Sequence, residues 1–259
     1  MHSVHHDGRE TEYRVADREA SGPTLVFVHG SGGSHEVWKS QLARLSGEYR
    51  IVALDLSGHG RSADVATQDG PTARERYVED LLAVTEAVDG DVLVGNSLGG
   101  AVVLSALLDR DPSVDAAILA GSGAKLAVLE DLRDWLADDF DRAIAFLHGE
   151  DMFFHDPDPR LDALSRECMR AVDQRVTERD FLASHTFDVR DRLDAVAVPV
   201  LALTGEYDRL TPPEYHEYLA EHVPAGDWTT VSDAAHLSML EAPERFNAVL
   251  REFVAERSG

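Results

Sequence analysis

Apolar residues fall along this chain in two alternating patterns, short continuous runs and longer helical stripes. The first run is Thr24-Leu-Val-Phe-Val-His29, of strand length, which follows Gly22-Pro23 and ends at Gly30. A run without polar alternation suits a strand buried on both faces, as in a parallel sheet. The same character recurs at Arg50 to Asp55, Asp91 to Gly95, Asp115 to Ala120 and Val200 to Thr204, the last opened by Pro199 where a strand tolerates proline. A hairpin precedes them, with Asp7-Gly8 as the turn between Val4 to His6 and Thr11 to Val15.

Helical stripes lie between the runs. In Arg74 to Val88, residues Val78, Leu81, Leu82, Thr85 and Val88 share one face, while Glu75, Glu79, Asp80 and Glu86 are expected to face water. Thr211-Pro212-Pro213-Glu214 reads as a capping box with a helix-opening proline. Strands alternating with helices predict an α/β fold, a mostly parallel sheet covered on both faces. From Lys125 to His185 no strand is legible, and Leu129, Leu132, Trp135, Leu136, Phe140, Ile144 and Leu147, then Leu164, Cys168, Ala171 and Val172, recur at helical spacing. The chain therefore divides into a first core part, 1–124, a helical cap or lid, 125–185, and a second core part, 186–259.

Charge changes the picture of what such a domain can touch. Forty-eight acidic against 24 basic residues give a formal net charge of -24, which repels nucleic acid and anionic membrane surfaces. Self-repulsion of this size points to a protein adapted to concentrated salt, since the Debye length shrinks to about 3 Å at 1 M, and stability is expected to rise toward molar potassium chloride. Cys168 is the only cysteine, so no intrachain disulfide forms, and it reads as a small core hydrophobe in a reducing compartment. No apolar stretch approaches the roughly 18 residues of a membrane helix. A soluble cytoplasmic monomer or homodimer acting on a small molecule is expected.

Gly95-Asn96-Ser97-Leu98-Gly99-Gly100 follows a strand and opens a helix, Ala101 to Asp109. In that setting G-x-S-x-G is a nucleophile elbow, its small residues permitting a strained turn that lifts the serine above the sheet. A serine needs a base, and His236 follows the short strand Asp227 to Val231 and precedes the helix from Pro243. The carboxylate that orients the base should lie between them in the chain. Asp208, in Gly205-Glu206-Tyr207-Asp208 directly after a strand, fits better than its rival Glu206, and Gly121-Ser122-Gly123 offers no acid. Backbone donors for an oxyanion are expected at Leu98, next to the serine, and at Ser31 in His29-Gly30-Ser31-Gly32-Gly33, a loop without the lysine of a phosphate cradle.

Together His29-Gly30, Asp55-Leu-Ser-Gly-His59-Gly-Arg61-Ser62, Gly95-Asn-Ser97-Leu-Gly99-Gly100, Gly205-Glu-Tyr-Asp208 and His236-Leu-Ser-Met-Leu-Glu241-Ala-Pro243-Glu-Arg-Phe246 resemble the ordered motifs of the α/β-hydrolase superfamily. The nearest groups are capped carboxylesterases, enol-lactonases and cofactor-free haloperoxidase-like enzymes. The resemblance implies an eight-stranded sheet with a cap inserted after the sixth strand, and a serine hydrolase of small esters or lactones needing no cofactor. Ser97 argues against relatives with an aspartate nucleophile. Leu237 stands where carbon-carbon bond hydrolases usually carry tryptophan, and a ligand-binding or sensory protein on the same fold is the rival from another class. The pocket is expected to draw on Gly30, Leu237 and the cap aromatics Trp135, Phe140, Phe153 and Phe154. His59 and Arg61 read as turn residues and His155 as a solvated loop residue. His2, His5 and His6, on a terminus with nothing to orient their rings, read as no metal site.

Overall fold

The structure, a computed structural model, describes residues 1–257. Eight strands form one sheet: β1 (His2–His6), β2 (Arg9–Ala16), β3 (Thr24–Val28), β4 (Arg50–Leu54), β5 (Val92–Asn96), β6 (Ala116–Ala120), β7 (Val200–Gly205) and β8 (Gly226–Val231). Their order is β1-β2-β4-β3-β5-β6-β7-β8. The first two pair antiparallel, β2 runs antiparallel to β4, and every other pairing is parallel.

The continuous apolar runs are explained by two cores, one on each side of the sheet. Along β3, Val26 and Val28 enter one core while Leu25 and Phe27 enter the other; β4 divides Val52 and Leu54 from Ile51 and Ala53 in the same way. A period of two with both faces apolar leaves no polar alternation to read. The first core is covered by α2 (Gly70–Val88), α3 (Leu98–Asp109) and α8 (Pro213–His222), and the second by α1 (Lys39–Arg44) and α10 (Pro243–Ala255), with α9 (Ser238–Glu241) between β8 and α10.

Between β6 and β7 lie four α-helices, α4 (Glu130–Asp138), α5 (Phe140–Leu147), α6 (Pro159–Ala171) and α7 (Gln174–His185), and no strand among the described residues. Asp139, Asp158 and Asp173 cap the last three through side-chain bonds to backbone N–H groups.

Three local expectations are corrected. The helix α2 begins at Gly70, a turn early, because Asp69 caps it through Thr72 N–H at 2.9 Å with Pro71 in the first turn. Its Asp80 does not face water: it is fully buried and accepts bonds from Arg9, Thr11 and the Ser57 backbone. The helix α8 opens at Pro213 with no side-chain cap, because the Thr211 hydroxyl bonds to Asp208 instead.

Candidate active site

The chain leaves β5 and enters α3 through one residue, Ser97, whose φ of 54° and ψ of -117° lie where side chains are rarely tolerated. Such a conformation costs about 1–3 kcal/mol and survives only where its surroundings enforce it. Here close approach enforces it: a Cβ on Gly95 would stand 2.4 Å from the Gly99 carbonyl oxygen, and one on Gly99 would stand 2.5 Å from that of Val28. The Ser122 hydroxyl, at the end of β6, donates to the Ser97 carbonyl at 2.9 Å. The Ser97 side chain is half-buried, and among the described residues nothing hydrogen-bonds to its hydroxyl, a contact that in hydrolytic sites commonly tightens only with substrate.

His236 and Asp208 meet from the ends of β8 and β7. The His236 Nδ1 lies 2.9 Å from Asp208 Oδ2, with both side chains buried. Four further donors surround the carboxylate: the N–H groups of Leu210 and Thr211 on Oδ1 at 2.8 and 2.9 Å, and the hydroxyls of Thr211 and Thr204 on Oδ2 at 2.8 and 3.2 Å. Burial alone would raise the Asp208 carboxyl, but the facing His236 and these bonds outweigh it and hold the group below its ordinary value. An ionised carboxylate only accepts, so Nδ1 carries the proton and Nε2 is the ring nitrogen left for a substrate or a serine. Glu206, by contrast, is exposed.

The loop carrying His236 is held by the helical insertion. His236 N–H donates to Met152 C=O at 3.2 Å, Leu237 N–H to Phe153 C=O at 2.9 Å, and the Phe153 ring stacks on the imidazole at 6.0 Å. Glu241 accepts from Ala235 N–H with one oxygen and from His155 and Asp156 N–H with the other, so the same carboxylate ties both segments.

Across the cavity runs the loop after β3. His29 is fully buried, and burial lowers its pKa to about 4, so the ring is neutral. Its Nε2 accepts from Leu56 N–H at 3.1 Å, which leaves the proton on Nδ1 to donate to Gly30 C=O at 2.8 Å. A peptide is planar, and pinning the Gly30 carbonyl sets the opposite direction for Ser31 N–H.

A cavity of about 370 Å³ joins these parts. Ser97, His236, Gly30, Ser31, Phe153 and Leu237 line it, as do Phe146, Met152, Met169 and Phe181. Trp135, Phe140 and Phe154, expected there, do not. Trp135 packs its ring on Phe146 at 5.5 Å under the Arg142 guanidinium, Phe140 packs against the second core, and Phe154 is buried within it. Phe146 lies off the buried stripe of α5, Ala143, Ile144 and Leu147, and spacing along the chain alone does not single it out. Cys168 is half-buried on the cavity wall and no core hydrophobe, and His155 is a partly exposed loop residue that also pairs with Asp151 at 2.6 Å and stacks on Tyr207 at 3.6 Å. His59 is buried and Arg61 exposed, neither on the cavity, and no cluster of metal-binding side chains occurs among the described residues.

Known proteins place this architecture. A pimeloyl-acyl-carrier-protein methyl ester esterase of Neisseria meningitidis serogroup C is 29% identical over 246 residues, covering 89% of this chain and 93% of that protein. A 3-oxoadipate enol-lactonase of Acinetobacter baylyi is 25% identical over 250 residues, covering 90% and 89%. The solved esterase of Exiguobacterium antarcticum shares the fold with a TM-score of 0.87 over 98% of both chains at 22% identity. The sequence profile of one family matches residues 25–249, and the chain belongs to that family, the alpha/beta hydrolases.

Proposed function

We propose that this hydrolase cleaves a small carboxylic ester by two-step acyl transfer, with Ser97 as nucleophile, His236 as general base and Asp208 as the acid that orients it. The carrying observation is that a strained serine at a strand-to-helix junction shares one cavity with a histidine whose far nitrogen faces a buried carboxylate. The Ser97 oxygen attacks the carbonyl carbon and its proton passes to His236 Nε2. The tetrahedral oxyanion takes the N–H groups of Ser31 and Leu98, and each such donor is worth about 100- to 1,000-fold in rate. The imidazolium then protonates the departing alcohol, and water, deprotonated by the same ring, releases the acyl group.

The apolar lining suits a short acyl or alcohol portion, and the volume sits at the small end of the roughly 300–1,000 Å³ of small-molecule sites. The segment 125–185 serves as the cap over the cavity, since its α5, α6 and α7 supply Phe146, Met169 and Phe181 to the wall. Opening of a lactone uses the same residues, and the likeness to an enol-lactonase supports that second reading. The net charge of -24 supports a salt-rich cytoplasm as the working environment and a small, diffusible substrate. The test is turnover of p-nitrophenyl acetate and butyrate by the native chain and by Ser97→Ala: the variant is expected to lose nearly all turnover, and near-native turnover would remove the assignment. A panel of esters against lactones separates the two substrates.

A further inference from the structure

Asp180 lies on α7, inside the insertion and far in sequence from the loop after β3, yet its side chain is fully buried against that loop. Three donors converge on it: Tyr77 O–H on Oδ1 at 2.6 Å, and on Oδ2 both Gly32 N–H at 2.9 Å and His59 Nε2 at 2.8 Å. An ionised carboxylate only accepts, so the Tyr77 hydroxyl, Gly32 N–H and His59 Nε2–H are the donors to it. Arg179, the preceding residue, is buried as well and donates to Ser57 C=O at 3.1 Å and pairs with Asp64 at 2.8 Å, clamping α7 to the first core.

The consequence lies one peptide away. Ser31 stands between two peptide planes, and each is held at one atom. The plane before it is fixed through the Gly30 carbonyl, which takes bonds from His29 Nδ1 at 2.8 Å and Gly33 N–H at 3.1 Å. The plane after it is fixed through Gly32 N–H, and the partner there is Asp180. Gly32 has a φ of 64°, as the third residue of the turn closed by the Gly33 N–H bond to Gly30 C=O, and a Cβ there would stand 3.0 Å from Thr177 of the same helix. Phe181 and Ser184, also on α7, line the cavity.

We infer that Asp180 is a positioning residue for oxyanion binding: by holding Gly32 N–H from the insertion, it fixes the aim of Ser31 N–H and makes that aim depend on how α7 is seated. The inference rests on the acyl-transfer reading above. It assigns the insertion a second task besides walling the cavity, because any shift of α7 made by a substrate under Phe181 is passed to the oxyanion donor through one carboxylate.

The test compares the native chain with Asp180→Ala and Asp180→Asn by three readouts: kcat and KM on p-nitrophenyl butyrate, inhibition by a trifluoromethyl ketone that forms a tetrahedral adduct, and deuterium exchange across residues 29–34. Misaim of one oxyanion donor predicts that Asp180→Ala lowers kcat about 100-fold with KM within about threefold. Affinity for the ketone falls in parallel, and the 29–34 segment loses protection. Asp180→Asn keeps one acceptor for Gly32 and restores about tenfold of the loss. If the alanine variant does not fold, the asparagine variant decides, a drop in kcat of threefold or more with protection of 29–34 reduced in part supporting the inference. Unchanged protection, or lost protection with native kcat and ketone affinity, overturns it, as does a lowered melting temperature alone. A native chain that turns over no ester and binds no ketone would sink the acyl-transfer reading instead, and the exchange arm would still decide whether Asp180 holds Gly32.

Discussion

The elbow at Ser97 and the pair Asp208–His236 face one cavity but are held by different physics. Steric crowding holds the first: Gly95, Gly99 and Gly100 each have another group within about 2.5 Å of where a Cβ would sit, and the strained φ of 54° has nowhere to relax. Hydrogen bonds hold the second, five donors around one buried carboxylate. A sterically fixed element should break on gaining a methyl group, and a polar one on losing a single proton donor or a charge.

The largest effect on the polar side is expected from Asp208→Asn, which keeps the shape and removes the charge facing His236. Loss of the orienting carboxylate costs serine triads about 10,000-fold in kcat, and a drop of at least about 1,000-fold in steady-state turnover with an unchanged circular dichroism spectrum is the expected outcome. On the steric side, Gly99→Ala would drive a Cβ to 2.5 Å from Val28 C=O and 2.7 Å from His29 C=O. Overpacking of this kind costs about 1–3 kcal/mol, which calorimetry would read as a melting temperature lower by about 2–12 °C. The smallest effect belongs to Thr211→Val, which removes one of the five donors to Asp208. One hydrogen bond of about 0.5–1.5 kcal/mol predicts a fall in kcat of about two- to tenfold with little change in stability. Should Thr211→Val destabilise the fold more than Gly99→Ala, the contrast between the two regions is wrong.

Two buried histidines make the fold sensitive to acid. Burial lowers both His29, just before the loop that follows β3, and His216, which accepts from Ser122 N–H, to about 4 from an ordinary 6.5. Between those values the unfolded chain binds protons that the folded chain refuses, so stability falls as pH drops from about 6.5 to 4. The buried Asp80, Asp180 and Asp208, all lowered despite their burial, keep their contribution until pH falls through their depressed values, below that window. Midpoints of urea unfolding at pH 7, 5.5 and 4.5 are expected to decline in that order.

What could be read from the sequence follows the same division. Strands whose both faces are buried announce themselves as apolar runs, and a strand-to-helix turn crowded enough to need glycine announces itself as a motif, so the parallel strands and the turn at Ser97 are legible. The strand order, in which β4 lies between β2 and β3, is not, because it depends on pairings between distant segments. Asp80 sat on a helix face that looked solvated; its partners Arg9, Thr11 and Ser57 come from elsewhere in the chain. Thr211 read as a helix cap because local spacing favoured it, and the nearby carboxylate took its hydroxyl instead. Among the aromatics of the insertion, Trp135, Phe140 and Phe146 all pack against the second core, and which of them also reaches the cavity, Phe146, depends on how the helices are seated rather than on spacing along the chain.

The most direct test of the central claim is the mass of the protein after reaction with a fluorophosphonate, followed by peptide mapping. The account predicts one adduct, on Ser97, formed at a rate that Asp208→Asn lowers strongly and absent in Ser97→Ala. Stoichiometric labelling of any other residue, or ester turnover that survives with Ser97 unlabelled, would contradict it.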